Sequence, residues 1–243
     1  MLIKSYSHRM ERHEEKTRIM LHFLRDETWS SAYILADLLG LSKTGIYKTL
    51  RFLEGETMIR SHYVSELKMK IYGITPTGLL YAWNELELME ERPCFEPGRV
   101  KPLMMMHYLD TQRARLRAER SGWTNWVPGH LLSKGLTKRP DAVVINCSGQ
   151  KIAVELERTV KSKRRYESIF AEYFQAIKRK EYDYIHYVCS DVGFSIRLAR
   201  LFNLIETVPI AGQRVSIGDK HRARLPIYAL ANWPPNHTEL MEQ

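Results

Sequence analysis

The sequence predicts an α/β chain (α+β over its two halves), with a helix-rich first module and a second module in which strands and helices alternate. Three observations predict it. Apolar residues at helical spacing (Ile19, Met20, Phe23, Leu24) mark the first part. Short β-branched runs flank a turn at Cys147-Ser148-Gly149-Gln150 in the second. Between them, residues 91–101 (Glu-Arg-Pro-Cys-Phe-Glu-Pro-Gly-Arg-Val-Lys) are too rich in Pro and Gly for a regular element. The expected division is a first domain over 1–92, a linker over 93–101 and a second domain over 102–243.

In the first module the spacing predicts a helix over 14–25 and a second one from an N-cap at Ser31 to Leu39. Gly40-Leu41 is the turn, and Ser42 caps a third helix running to about Glu54. Two short strands, 58–64 and 68–74, follow around Ser65-Glu66-Leu67. Pro76 suits the first position of a further helix to about Glu90. In the second module the expected elements are a helix over 102–120, strands over 123–127, 142–146 and 151–156, a helix over 162–180, a strand over 184–189 and a helix over 192–203. The tail beyond 207 is expected to add a strand and then fray, and its function is not readable.

Composition narrows the function classes. Hydrophobic residues are 44% and charged residues 27%, a balance that excludes wholesale disorder. No apolar run approaches a membrane span, and the first residues lack the apolar core of a signal peptide. Three scattered cysteines (Cys94, Cys147, Cys189) do not make a disulfide framework or a four-cysteine zinc site, and the expected location is a reducing cytoplasm. The charge is uneven. Residues 1–100 carry 14 basic and 14 acidic side chains, so the net +9 comes entirely from residues 101–243, with 23 and 14. A basic half predicts a polyanionic partner, nucleic acid first.

The first module follows the order of a winged helix-turn-helix. Ala36 allows close helix contact, Gly40 permits the turn, and Ile46, Leu50 and Leu53 share the inner face of the recognition helix. Lys43, Thr44, Tyr47, Lys48 and Arg51 take the outer face, where phosphates and base edges would be met. Lys68 and Lys70 place a wing against the backbone. A protein-contact role for such a domain is the alternative. The segment resembles bacterial winged-helix DNA-binding domains in general.

The chemistry of the second module gathers on its hairpin. Asp141 opens one strand, and Glu155 and Glu157 end the other, on one side of it. Carboxylates crowded together are costly unless a cation sits between them, and oxygen donors suit Mg²⁺ or Mn²⁺. Lys161, four residues on, could orient or deprotonate a water at a phosphate. Lys163, Arg164 and Arg165 supply countercharge for a nucleic-acid backbone. The plainer reading pairs Glu157 with Arg158 or Lys161. His107 and Tyr166 are further candidates, His107 for metal or substrate and Tyr166 as a covalent nucleophile or a phosphate contact. The nine histidines contain no His-x-His, so a histidine-triad metal site is not visible.

Arg139-Pro140-Asp141, thirteen residues, Glu155-Leu-Glu157, then Lys161 and Tyr166 resemble the PD-(D/E)xK restriction-endonuclease-like superfamily. With the winged helix ahead of it, the chain is similar, over about residues 14–190, to the MobC family of plasmid mobilization relaxases. The resemblance implies a metal-dependent nuclease, with Mg²⁺ or Mn²⁺, that nicks one strand of duplex plasmid DNA at an origin of transfer. It also implies an accessory mobilization protein and a coupling protein as partners. Asp141, Glu155 and Glu157 match the acidic positions and Lys161 the basic one. The common motif has lysine where this chain has Glu157, so Lys161 acts from a displaced position or Lys163 replaces it. The alternatives are a non-catalytic winged-helix replication or regulatory protein, and a double-strand endonuclease of restriction or transposon type.

Overall fold

The computed structural model describes residues 6–235, which fold as two compact units parting between Gln112 and Arg113. The fold is α/β, with mixed sheets and eight α-helices among the described residues.

The N-terminal unit opens with α1 (Tyr6–Glu27), longer at both ends than its apolar spacing predicts. A three-residue strand, β1 (Trp29–Ser31), then leads directly into α2 (Ala32–Leu38). The Ser31 Oγ accepts the Ile34 N–H at 3.3 Å and so caps α2 as its sequence position suggests. Gly40 takes φ +60°, which L side chains rarely adopt, and lets the chain turn sharply. The third helix, α3 (Ile46–Gly55), begins later than expected: Ser42 instead closes a turn, its Oγ accepting the Gly45 N–H at 3.1 Å. Ile46, Leu50 and Leu53 are buried, as their spacing requires. β2 (Ile59–Val64) and β3 (Met69–Ile74) form the antiparallel hairpin, and β1 adds to the free edge of β3. The strand β1 carried no sequence signal because three residues show no periodicity.

Two expectations for this unit need correction. The helix from Pro76 does not reach Glu90; α4 spans only Pro76–Leu80. Its continuation is diverted by a buried cation. Arg25, 6% exposed, donates to the Ala82 carbonyl and to Glu87 at 3.0 Å each, with its guanidinium 4.3 Å from the centre of the Trp83 ring. The expected linker over 93–101 is also partly core. Phe95 is 1% exposed, its N–H donates to the Ile74 carbonyl at 2.9 Å, and it packs where a Cβ on Gly73 would stand. The units part instead within α5 (Pro102–Arg120).

The C-terminal unit is built on a five-stranded sheet. After α5 come β4 (Thr124–Pro128), β5 (Ala142–Ile145), β6 (Lys151–Glu157), α6 (Lys163–Lys178), β7 (Tyr184–Cys189) and α7 (Val192–Asn203). β8 (Thr207–Ile210) and β9 (Gln213–Ser216) form a separate hairpin, and α8 (Asp219–Arg222) and β10 (Ile227–Ala229) follow. The sheet order is β10-β7-β6-β5-β4, parallel from β10 to β6 and antiparallel from β6 to β4. The central strands are covered on both faces, hence their continuous apolar runs. Along β6, Ile152, Val154 and Leu156 enter one apolar cluster, and Ala153 enters the other, with Tyr166, Tyr173 and Tyr187. Period-two alternation therefore sends Glu155 and Glu157 toward the tyrosine-rich cluster.

The tail adds more than the one expected strand before the described residues end. β10 pairs with β7, and Trp233 is fully buried, its indole N–H donating to His186 Nδ1 at 3.1 Å. Residues 236–243 lie outside the described residues.

Candidate functional site

The hairpin of β5 and β6 places the acids. Asp141 immediately precedes β5; its N–H donates to the Val154 carbonyl at 3.0 Å, and its carboxylate accepts the Leu156 N–H at 2.8 Å. These two bonds hold Asp141 across from the end of β6, within electrostatic reach of both Glu155 and Glu157. Residues separated by thirteen in the chain thus meet at one sheet end, the juxtaposition their strand positions predict.

Helix α6 answers the two glutamates with two tyrosines. Tyr173 donates its hydroxyl to Glu155, and Tyr166 shares a hydrogen bond with Glu157. Tyrosines seven residues apart stand two turns apart on one helix face, so α6, running back along β6, sets one beside each glutamate. Both rings are fully buried. Burial and the neighbouring carboxylates push their hydroxyl pKa values well above the ordinary tyrosine range.

The two glutamates differ in countercharge. Glu157, with a side chain 3% exposed, is held through both carboxylate oxygens by Lys161. Glu155, 15% exposed, has Lys138 Nζ at 3.9 Å, beyond hydrogen-bond length. Burial, and then the negative charge of Asp141, push the Glu155 carboxyl up to about 8. Burial also raises Glu157, opposed by Lys161. Across the sheet register from Glu155 lies Tyr187, whose buried hydroxyl has no hydrogen-bond partner among the described residues. Cys189, beside Glu157 in the register, is pushed up to about 12 by burial, far from a reactive thiolate.

Asp141 and Glu155 therefore form a pair of hard oxygen donors whose mutual repulsion a divalent cation would relieve. Mg²⁺ is commonly held by one or two carboxylates, with water and phosphate completing the shell, and the pair fits that chemistry. Glu157 is paired with Lys161, the partner that the plainer reading of the sequence offered. Among the described residues, no three His, Cys, Asp or Glu side chains are gathered so as to hold one ion. Tyr166 is fully buried, with its hydroxyl turned to Glu157. His107 belongs to the N-terminal unit, where its ring meets Tyr108 at 5.9 Å. Sequence reasoning missed Lys138 and Tyr173. The tyrosine could have been found from its seven-residue spacing to Tyr166, whereas Lys138 carried no signal.

The basic residues are disposed at the surface. Lys163, Arg164 and Arg165 are exposed in the first turn of α6, which Ser162 caps by accepting the Arg165 N–H at 3.2 Å. In the N-terminal unit, Tyr47, Lys48 and Arg51 are exposed on α3, while Lys43 and Thr44 are exposed in the turn before it, not on the helix. Lys68, at φ +48°, ends the 3₁₀ turn of the wing, and Lys70 extends along β3, its Nζ 5.2 Å from the Tyr72 ring centre. Opposite Lys70 on β2 is Tyr63, 59% exposed, an aromatic surface residue that sequence reasoning passed over. Among the described residues, no helix is long and apolar enough to cross a membrane.

No protein-family profile matches the chain, and no curated protein matches it. Among solved structures, an apo-form mutant of Lactococcus lactis ZitR is similar at 19% identity and a TM-score of 0.27, over 31% of this chain and 58% of that one. The chain thus spans a little over half of that structure, and a likeness of this size carries no functional argument.

Proposed function

We propose that the chain is a DNA-binding, metal-dependent endonuclease: the N-terminal unit engages duplex DNA, and the Asp141–Glu155 pair cleaves a phosphodiester. The finer reading is a relaxase that nicks one strand of plasmid DNA at an origin of transfer, with an accessory mobilization protein and a coupling protein as partners. One observation carries it: two carboxylates distant in sequence are held together at a sheet end, one of them raised by burial and by the other's charge. A divalent ion there, Mg²⁺ or Mn²⁺, would be held by Asp141 and Glu155 and would supply Lewis-acid stabilisation of phosphate charge. The chain's own groups orient that pair. The Leu156 N–H fixes Asp141, Tyr173 fixes Glu155, and the basic start of α6 offers countercharge to a DNA backbone.

A second reading, a DNA-binding regulator that does not cut, draws on the pairing of Glu157 with Lys161 and on the lack, among the described residues, of three acids gathered about one ion. Incubation with supercoiled plasmids, with and without a candidate transfer origin, in Mg²⁺ or Mn²⁺, separates the two. Cleavage predicts open circles with a break that primer extension maps to one strand. Asp141→Asn, which keeps an acceptor for the Leu156 N–H but removes the charge, abolishes the break while binding persists. Cleavage undiminished in chelator would eliminate the carboxylate–metal reading.

A further inference from the structure

We infer that Lys138, on the segment leading into β5, is the cation that contacts the DNA phosphate at the Asp141–Glu155 pair, and that Lys161 is a structural counter-ion. This rests on the endonuclease reading for the identity of the ligand.

The two lysines are placed in opposite ways. Lys161 is engaged by both oxygens of a carboxylate 3% exposed, with its ammonium 5.5 Å from the Tyr166 ring centre. Withdrawing it to a substrate would leave a buried charge unpaired, which is costly. Lys138 has no such commitment. Its Nζ stands 3.9 Å from Glu155 and 5.9 Å from the Tyr173 ring centre, with 22% of its side chain exposed. An ammonium beside a carboxylate, but not hydrogen-bonded to it, can take a phosphate oxygen as its second anion at little cost.

The backbone that presents Lys138 is clamped. Its carbonyl accepts the Tyr182 hydroxyl at 3.0 Å, and Tyr182 is 2% exposed. Next to it, Thr137 is gripped by Glu181, its N–H donating at 3.0 Å and its hydroxyl at 2.6 Å. Arg179 adds a third tie, donating to the Thr137 hydroxyl at 3.0 Å. Such restraint on a segment without regular structure is what a positioned side chain requires. Lys138 makes or breaks no covalent bond; it contributes charge at the phosphate.

The test uses the full chain, short duplex DNA as the probe, and the variants Lys138→Met, Lys138→Arg and Lys161→Met. Affinity is measured against salt concentration in chelator, so that nothing is cleaved, and folding is followed by thermal unfolding. Loss of one phosphate contact lowers the log–log salt slope by about one. Lys138→Met is expected to show that loss at an unchanged melting temperature, and Lys138→Arg to restore the slope. Lys161→Met is expected to melt lower with the wild-type slope. A wild-type slope in Lys138→Met overturns the proposal, as does a slope change confined to Lys161→Met or a wild type that binds no duplex. If the wild type binds but cuts no plasmid with either metal, cleavage fails, while a Lys138-dependent slope still supports the phosphate contact.

Discussion

Replacing Glu155 with Gln should flatten the pH dependence of stability above neutrality. A carboxyl raised from 4.5 to about 8 keeps its proton in the folded state where the unfolded chain has lost it. The folded protein then binds more protons between these values, so stability falls as pH rises through that window. Buried His186 runs the other way. Burial pushes it from 6.5 down to about 3, so the unfolded state binds more protons between those values and stability rises with pH there. The two effects oppose each other below pH 6.5; above it His186 no longer offsets Glu155, and the other raised groups are common to wild type and variant. Integrating between pH 6.5 and 8 gives a ceiling of about 1.5 kcal/mol. The carboxyl is 15% exposed, which solvent screens, so roughly 1 kcal/mol is the expected loss. Urea unfolding of wild type and Glu155→Gln in chelator, at four pH values from 6.5 to 8, reads this directly. The variant should gain on the wild type by about that amount across the range. Parallel curves would refute the claim that Glu155 is a buried acid crowded by Asp141.

Mg²⁺ should stabilise the wild type more at pH 8 than at pH 6.5, because its ligands must be deprotonated, and Asp141→Asn should remove that difference in thermal unfolding. Arg51→Ala and Lys48→Ala should each weaken duplex binding and lower its salt slope by about one; an unchanged slope would move the DNA contact off α3. Gly73→Ala should destabilise the N-terminal unit by about 1–3 kcal/mol. The new Cβ would fall 2.0 Å from Phe95 Cγ, and a melting temperature equal to wild type would mean that Phe95 moves freely.

The elements with a clear period were legible in the sequence. The helix over 102–120 and the strand over 184–189 appear with the predicted bounds, and Ile46, Leu50 and Leu53 are buried as their spacing demands. Asp141 and Glu155 could be paired because a short turn joins their strands, which makes the hairpin a local inference. Local pattern also marked the exposed basic residues of α3 and α6, since charge on a helix face is a matter of spacing alone.

Other features depend on partners remote in sequence, and these only the tertiary structure decided. The helix after Pro76 stops where Ala82 turns its carbonyl to Arg25, a residue 57 positions away. The three-residue β1 exists because β3 had a free edge to pair. The roles of Glu155 and Glu157 parted for the same reason. On β6 they are near-equivalent acids two residues apart, but folding gives one a lysine on both oxygens and the other a tyrosine and a distant ammonium. A chain of letters carries which side chains can be charged; the dielectric around them, and the countercharge within reach, are set by packing.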